Sequence, residues 1–219
     1  MEFDFPVENF KTPPHPKGIT LVGENVRLEP LNVQNHSANL HEANSLDVEG
    51  KNWDYLPYGP FDDLESYQHW LEKEAVKQDP TFFAIIRKLD NKAVGVASFL
   101  RINQTDGSIE VGHLRFSSLM QRTTIATEAM FLKMEYAFGL GYRRYEWKCD
   151  ALNAPSRRAA ERLGFKFEGI FRQATHYRGR NRDTAWFSII DTEWPTVKSA
   201  HREWLSLIHI SEPTRPLYS

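Results

Sequence analysis

Residues 110–165 read EVGHLRFSSLMQRTTIATEAMFLKMEYAFGLGYRRYEWKCDALNAPSRRAAERLGF, and the rest of the chain can be placed around them. The segment at 109–116 alternates between two faces, which predicts a strand. One face would carry Ile109, Val111, His113 and Arg115, and the other Glu110, Gly112, Leu114 and Phe116. Gly112 in mid-strand indicates a bulge or a close backbone approach.

A helix pattern replaces the strand pattern at Ala126. Its apolar stripe comprises Ala126, Ala129, Met130, Met134, Ala137 and Phe138, whereas Glu128, Lys133 and Glu135 lie off it. Gly139 and Gly141 predict where this amphipathic helix ends. Residues 121–125 therefore form a strand-to-helix turn of small or polar side chains. The free N–H groups at such a helix start suit a pyrophosphate.

A second strand-to-helix turn follows further along the chain. Residues 145–150, YEWKCD, alternate as a strand that places Tyr145, Trp147 and Cys149 on one face. Residues 153–165, NAPSRRAAERLGF, then predict a helix that closes with Leu-Gly-Phe. Two helix starts beside two strand ends indicate a pocket for an acyl carrier.

The two turns resemble the signatures of the GNAT superfamily of acetyl-CoA-dependent N-acetyltransferases. The first signature, Gln/Arg-x-x-Gly-x-Gly/Ala, fits residues 121–126 with one departure, because Thr124 stands where the family usually has glycine. A Cβ there would crowd the phosphates or narrow the allowed backbone angles. The second signature, Asn-x-x-Ser/Ala, fits Asn153 and Ser156. The match is closest to the branch that acetylates the N-terminal alanine or serine of ribosomal proteins.

The resemblance, which runs from about Gly18 to Trp194, implies an α/β GNAT fold. Its sheet is mixed, mostly antiparallel and V-splayed, with helices on both faces. Sequence patterns predict strands at 26–29, 81–87, 93–100, 166–172 and 184–190. They predict helices from 33 to about 43 after Asn32, from 64 to about 77 after Asp62 or Asp63, and at 193–204.

The sequence divides into three expected parts. Residues 1–17 hold four prolines and predict an extended arm, and residues 18–204 form the acetyltransferase domain. Residues 205–215 can be back-translated into codons that match a transposon adapter used in sequencing libraries. We interpret 205–219 as a non-native tail and expect the natural C-terminus to be missing after about Trp204.

The totals exclude several classes of protein. The 219 residues carry a net charge of −2, which gives no support to nucleic-acid binding. The single cysteine rules out an internal disulfide, and no run approaches the roughly 20 apolar residues of a membrane span. The acidic N-terminus lacks a signal-peptide pattern. We expect a cytoplasmic protein, monomeric or homodimeric, with no membrane or metal partner.

The resemblance implies roles for the residues at the two turns. Acetyl-CoA would be held by Gln121, Arg122, Thr123, Thr124, Ile125, Ala126 and Asn153, and by the backbone of Leu114, Arg115 and Phe116, which would also polarise the carbonyl. Ser156 would donate a hydrogen bond to the departing sulfur, or would only help to start its helix. Arg157 or Arg158 would contact phosphates, unless they form a solvated face.

The base that accepts the amine proton has two candidates. Glu110 would have a raised pKa if it is partly buried, although a cross-strand salt bridge to an arginine is an equal alternative. His113 has a suitable ordinary pKa, but strict alternation places it on the face opposite Glu110. It would then line the acceptor site together with Trp53, Tyr55 and Tyr58, unless those aromatic residues only close one end of the core.

We therefore expect transfer of acetyl from acetyl-CoA to a primary amine, a protein N-terminus or a small amine, by direct attack in a ternary complex. An acyl-cysteine route is rejected because Cys149 falls on an apolar strand face without a basic partner. Two alternatives stay open. One is an acetyltransferase that detoxifies an antibiotic or another small molecule. The other is a CoA-binding module without turnover, which only Thr124 and the uncertain base support.

Overall fold

The described part of the chain, residues 6–211 with side chains through Leu207, folds around one eight-stranded sheet in the computed structural model. The helices are α1 (Val33–Ser45), a short 3₁₀ helix (Lys51–Trp53), α2 (Leu64–Ala75), α3 (Thr124–Gly139), α4 (Ala154–Arg162) and α5 (Trp194–Ser211). The strands are β1 (Leu21–Val22), β2 (Val26–Pro30), β3 (Thr81–Arg87), β4 (Lys92–Asn103), β5 (Ser108–Phe116), β6 (Arg144–Asp150), β7 (Lys166–Tyr177) and β8 (Arg180–Ile190).

The sheet has the order β1-β2-β3-β4-β5-β6-β8-β7, and β5 and β6 form its parallel pair. These two strands are paired only from Ser108–Arg144 to Val111–Trp147. Beyond that point β5 stays with β4, while β6 stays with β8. The sheet therefore opens as a V between its two middle strands, and the predicted fold is confirmed.

A β-bulge in β5 changes which side chains share a face. His113 and Leu114 together lie opposite one residue of β4, Ala97, and His113 takes a left-handed φ of 50°. An extra residue in a strand moves the following side chains to the other face. The predicted bulge near Gly112 is present, but strict alternation is wrong beyond it. Glu110 and His113 lie on the same face.

Two apolar cores lie on opposite faces of the sheet. The larger core packs α3, α4 and α5 against the sheet through residues such as Met134, Ala160 and Trp194. The smaller core packs α1 and α2 against β3 and β4 through residues such as Leu40 and Leu71. The opening between β5 and β6 therefore lies between two layers of helices, one on each face of the sheet.

Helix α3 is buried on more sides than its apolar stripe predicts. Glu128 and Lys133 were expected off the stripe, yet both are buried. The Glu128 carboxylate accepts hydrogen bonds from the Glu24 and Asn25 amides between β1 and β2. The Lys133 Nζ lies 3.3 Å from the centre of the Phe99 ring. Long-range packing by β1, β2 and α5 therefore covers faces that local periodicity assigns to solvent.

Most predicted starts are confirmed, and several ends are displaced. Asn32 caps α1, and Asp63 caps α2 in a capping box. The β7–β8 hairpin extends to Tyr177, whereas the sequence predicted a strand end at 172. Its turn is only two residues long, Arg178 and Gly179, with φ of 50° and 70°. A tight turn with two left-handed residues allows pairing to continue to the hairpin tip.

The two ends of the described chain pack against the domain. In the arm, the carbonyls of Pro13 and Pro14 accept hydrogen bonds from Gln104 and Tyr142. At the other end α5 continues to Ser211, beyond the helix end predicted at 204, and its Leu205 packs against the larger core. Residues 1–5 of the predicted arm and 212–219 of the predicted tail lie outside the described residues.

Candidate active site

The site is the crevice between the parted ends of β5 and β6, formed by residues 112–116 and 148–150. The loop after β5 leads directly into α3, and the loop after β6 leads directly into α4. Both predicted helix starts therefore lie at the open end of the V. The two turns that the sequence singled out are brought to one place.

The start of α3 offers unused backbone donors. Its N-cap residue, Thr123, makes no side-chain cap, because its hydroxyl donates to the Met120 carbonyl at 2.7 Å. In the described chain, the amides of Thr124, Ile125 and Ala126 have no hydrogen-bond acceptor. Free amides combined with the positive end of the helix dipole attract an anion.

Thr124 adopts an ordinary backbone conformation. It is the first residue of α3, and the left-handed residue in this turn is Arg122, with φ of 60°. A glycine is needed for its backbone freedom only where φ is positive. The expectation that Thr124 narrows the allowed backbone angles is therefore wrong, since a helical residue accepts a Cβ at no cost in φ.

Two side chains donate hydrogen bonds to the carbonyl at the end of β5. The Phe116 carbonyl accepts hydrogen bonds from Gln121 Nε2 at 2.7 Å and from Arg115 Nη1 at 3.0 Å. Gln121 also donates to the side chain of Asn52, in the 3₁₀ helix, at 3.0 Å. Because these side chains satisfy the carbonyl, the end of β5 does not need β6 as a second partner strand here. The sequence analysis named Arg115, Phe116 and Gln121 as candidate site residues, but it did not predict that the first and third bond the carbonyl of the second.

The start of α4 positions Ser156. The Asn153 side chain accepts a hydrogen bond from the Ser156 amide at 3.1 Å, so the predicted cap is present. The Trp147 indole donates to Ser156 Oγ at 3.0 Å. Burial raises the pKa of the Cys149 thiol, and the neighbouring Ser156 hydroxyl acts in the opposite direction as a hydrogen-bond partner.

Glu110 lies on the smaller-core face of β5, where it is 3 % exposed. Its Oε1 accepts a hydrogen bond from Arg101 at 2.7 Å, and Lys148 Nζ lies 3.0 Å from its Oε2. Burial raises the pKa of the Glu110 carboxyl, although Lys148 and Arg101 both oppose that change. The burial is as predicted, and so is the salt bridge to an arginine.

His113 lies in an aromatic environment. Its Nδ1 is 3.1 Å from the Tyr58 hydroxyl, and its ring stacks on Tyr58 with a centroid distance of 5.5 Å. Burial lowers the pKa of His113 to about 4, and burial raises the pKa of Tyr58 well above its ordinary range. At neutral pH both groups are uncharged, and one donates a hydrogen bond to the other.

The predicted acceptor wall divides into two parts. Trp53 is buried, with the Arg115 guanidinium 4.4 Å from its ring centre, and its ring packs edge-on against Phe61, which borders the smaller core. Tyr55 is exposed, and its hydroxyl donates to the Leu152 carbonyl at 3.3 Å. The Tyr58 carbonyl accepts from Arg178 in the β7–β8 turn at 3.0 Å. The loop containing both tyrosines therefore reaches across the crevice to two other loops.

Two of the three arginines on α4 have defined partners. Arg157 donates to the Ala151 carbonyl at 3.3 Å, and its guanidinium lies 5.5 Å from the Phe167 ring centre. Arg162 donates to Thr127 at 3.0 Å and so joins α4 to α3, whereas Arg158 is exposed. Among the side chains that the structure describes, residues 6–207, no group of three or more His, Cys, Asp or Glu could hold a metal ion.

A family model for the acetyltransferase (GNAT) domain matches residues 25–166, well over half of the chain. The chain belongs to the GNAT acetyltransferase family. A GCN5-related N-acetyltransferase from Brucella melitensis is 46 % identical, with a TM-score of 0.89 over 91 % of this chain and 90 % of that one. Its family is therefore one of acetyltransferases. The sheet that opens between β5 and β6 is the sheet of the GNAT fold.

Other GNAT structures extend the comparison. A protein from Chromobacterium violaceum, described as a probable acetyltransferase of the GNAT family, is 39 % identical over 89 % of this chain and 98 % of that one, with a TM-score of 0.83. Mycobacterium smegmatis RimJ was solved in complex with CoA-disulfide, and its match spans 83 % of this chain and 89 % of the RimJ chain. At 20 % identity and a TM-score of 0.68, RimJ shares the fold. Within the described range, no helix has the length and apolar character to cross a membrane.

Proposed function

We propose that this GNAT protein transfers acetyl from acetyl-CoA to a primary amine by direct attack in a ternary complex. The acceptor is a protein N-terminus or a small amine. The observation that carries the proposal is the crevice between β5 and β6, which opens beside two helix starts, one with free amides and one with the Ser156 hydroxyl. That arrangement supplies donors for a pyrophosphate at one end and for a sulfur at the other.

The residues around the crevice fit acetyl-CoA as a co-substrate. The amides of residues 124–126 would bind the pyrophosphate, and Gln121 and Arg122 would complete that loop. The backbone of residues 114–116 pairs with β4 on one side and lies beyond the last pair with β6 on the other, where an extended pantetheine arm would bond it. Asn153 would hold the far end of that arm. The RimJ structure with CoA-disulfide supports a CoA site in this fold.

Three groups of this chain would assist the transfer. Backbone N–H groups at residues 114–116 would bind the thioester oxygen as negative charge develops on it. Ser156 would donate a hydrogen bond to the departing sulfur. A base must take a proton from the attacking amine, because only a neutral amine has a free electron pair.

Glu110 is the proposed base. It lies on the same face of β5 as His113, close to the point where the strands part, and burial raises the pKa of its carboxyl. A carboxyl with a raised pKa accepts a proton more readily than an ordinary one. The Arg101 side chain that pairs with it is 61 % exposed, so this partner can move into solvent when an amine arrives. His113, uncharged at neutral pH, would line the acceptor side.

Direct attack is favoured over an acyl-enzyme route. Cys149, the single cysteine of the chain, is 6 % exposed and packs in the larger core. Burial raises the pKa of its thiol, which lowers the fraction of nucleophilic thiolate at neutral pH. A cysteine in that environment behaves as a small apolar side chain.

The test is free-thiol release from acetyl-CoA across a panel of amines, after calorimetry has measured acetyl-CoA binding. The panel contains peptides that start with alanine or serine, peptides with other first residues, aminoglycosides and small metabolic amines. Release with the alanine or serine peptides supports the N-terminal acetyltransferase, and release with small amines supports the detoxifying alternative. Binding without release for any amine would favour a CoA-binding module and contradict the proposed function.

A further inference from the structure

Trp147 occupies the vertex of the V. It forms the last rung between β5 and β6, opposite Val111, and its backbone also pairs with Phe187 of β8. Its side chain is 4 % exposed and packs edge-on against Phe165, with ring centres 5.5 Å apart. The indole is therefore held rigidly at the place where the crevice begins, and its N–H points to Ser156.

The hydrogen bond from Trp147 determines what the Ser156 hydroxyl can do. A serine hydroxyl has one donor hydrogen and accepts through two lone pairs, whereas an indole N–H can only donate. Trp147 therefore occupies one lone pair of Oγ at a distance of 3.0 Å. The hydroxyl hydrogen must point away from the indole N–H, and a second hydrogen-bond neighbour of this hydroxyl is the sulfur of Cys149.

The backbone around Ser156 restricts the hydroxyl further. The Asn153 side chain accepts from the Ser156 amide at 3.1 Å and so fixes the first turn of α4. The Asn153 oxygen is thereby occupied by the backbone N–H rather than by the hydroxyl. Among the described residues, no oxygen atom accepts a hydrogen bond from Ser156 Oγ. The neighbour that the described residues offer the hydroxyl hydrogen is therefore the sulfur of Cys149, a weak acceptor that a carrier thiolate, with its full negative charge, would replace.

We propose that Trp147 is a positioning residue that turns the Ser156 hydroxyl hydrogen toward the sulfur of the acyl carrier. The inference rests on the proposed function, in which Ser156 donates to that sulfur. Trp147 does not itself touch the reacting atoms. It removes the rotamers in which the hydroxyl hydrogen would point toward the indole, and a donor oriented in advance costs no reorganisation as charge develops.

The indole also packs in the larger core, so a test must separate the N–H group from the ring. Trp147→Phe removes both the N–H and part of the ring. Replacing Trp147 with the unnatural residue 3-benzothienylalanine keeps the shape of the bicyclic ring, because a sulfur atom stands in for the N–H. This second variant preserves the core where the phenylalanine variant fails to fold.

The experiment is a double-mutant cycle in steady-state kinetics, with Ser156→Ala as the second change. Ser156→Ala lowers kcat by about 100-fold, the usual effect of losing one donor to a developing negative charge. Each Trp147 variant lowers kcat by about tenfold, the effect of losing one typical hydrogen bond, with the KM for acetyl-CoA within about twofold of wild type. In the Ser156→Ala background, the same Trp147 changes lower kcat by less than about twofold.

The outcomes separate the role of Trp147 from the role of Ser156. A large loss in Ser156→Ala, with the benzothienyl variant as active as wild type, overturns the inference and leaves the proposed role of Ser156 intact. Equal losses from the Trp147 variants in both backgrounds also overturn it, because they would reflect packing alone. A Ser156→Ala enzyme with unchanged kcat would remove the proposed sulfur donor, and the inference with it.

Discussion

Lys133 should destabilise the fold at neutral pH, and replacing it with methionine should make the protein more stable. The side chain is 0 % exposed, and in the described chain its Nζ has no hydrogen-bond partner. Burial lowers the pKa of this amine well below its ordinary value. The rings of Phe83 and Phe99 offer their faces to Nζ, at 4.5 and 3.3 Å from their centres, but they supply no acceptor oxygen.

The size of the effect follows from two contributions. Burying an unbonded polar group costs about 1–3 kcal/mol, and methionine fills a similar volume without a polar atom. Because the folded pKa is lowered, the protein also loses stability as the pH falls from about 10.4 toward the folded pKa, at up to about 1.4 kcal/mol per pH unit. Lys133→Met should therefore raise the free energy of unfolding by about 2 kcal/mol at pH 10 and by more at pH 7.

Urea unfolding followed by tryptophan fluorescence at pH 7, 8.5 and 10 measures this gain, with the midpoint and slope fitted at each pH. A gain of about 2 kcal/mol raises Tm by about 4–8 °C for a chain of this size. The matched control is Lys73→Met on the exposed side of α2, which should change stability by less than about 0.5 kcal/mol at every pH. A Lys133→Met protein that is less stable than wild type, or a gain that does not grow toward neutral pH, would refute the reasoning.

Further predictions concern the site. Because burial lowers the pKa of His113 to about 4, its contribution to stability is complete above about pH 6.5 and is lost as the pH falls toward 4, a change of about 3 kcal/mol. His113→Gln should flatten the acid limb of a stability–pH curve, and an unchanged curve would contradict the assignment. Glu110→Gln should lower kcat by about 100-fold with little change in the KM for acetyl-CoA, whereas a loss of stability alone would indicate a structural salt bridge. Asn153→Ala should cost about 1 kcal/mol of unfolding free energy through the lost cap, and Asn153→Asp should recover most of it. Gln121→Leu removes one of the two side-chain donors to the Phe116 carbonyl and should raise the KM for acetyl-CoA more than it lowers kcat; the reverse split would show that this contact does not shape the crevice.

The sequence predicted the parts of the fold that local chemistry determines. Asn32, Asp63 and Asn153 cap the helices that they were expected to cap, because the capping geometry involves residues only three positions apart. The parting of β5 from β6 followed from a family signature at the two helix starts. These predictions rest on short segments whose local structure does not depend on which residues pack around them.

The missed features depend on contacts between distant segments. The bulge at His113 reverses the faces of β5 without a glycine at the left-handed position, so Gly112 indicated a bulge but not which residue would take the positive φ. Lys133 is buried because the strands of the sheet, including β1 and β2, and helix α5 pack around α3. The Arg101 partner of Glu110 lies nine residues away on the neighbouring strand, at a position that depends on register shifts.

The most direct test of the central claim is a crystal structure of this protein with CoA. The account predicts that the pyrophosphate oxygens lie within hydrogen-bonding distance of the amides of Thr124, Ile125 and Ala126. The pantetheine arm should lie between β5 and β6, with its sulfur beside Ser156 Oγ. A nucleotide bound elsewhere, or strands that close over an empty crevice in the presence of CoA, would contradict the account.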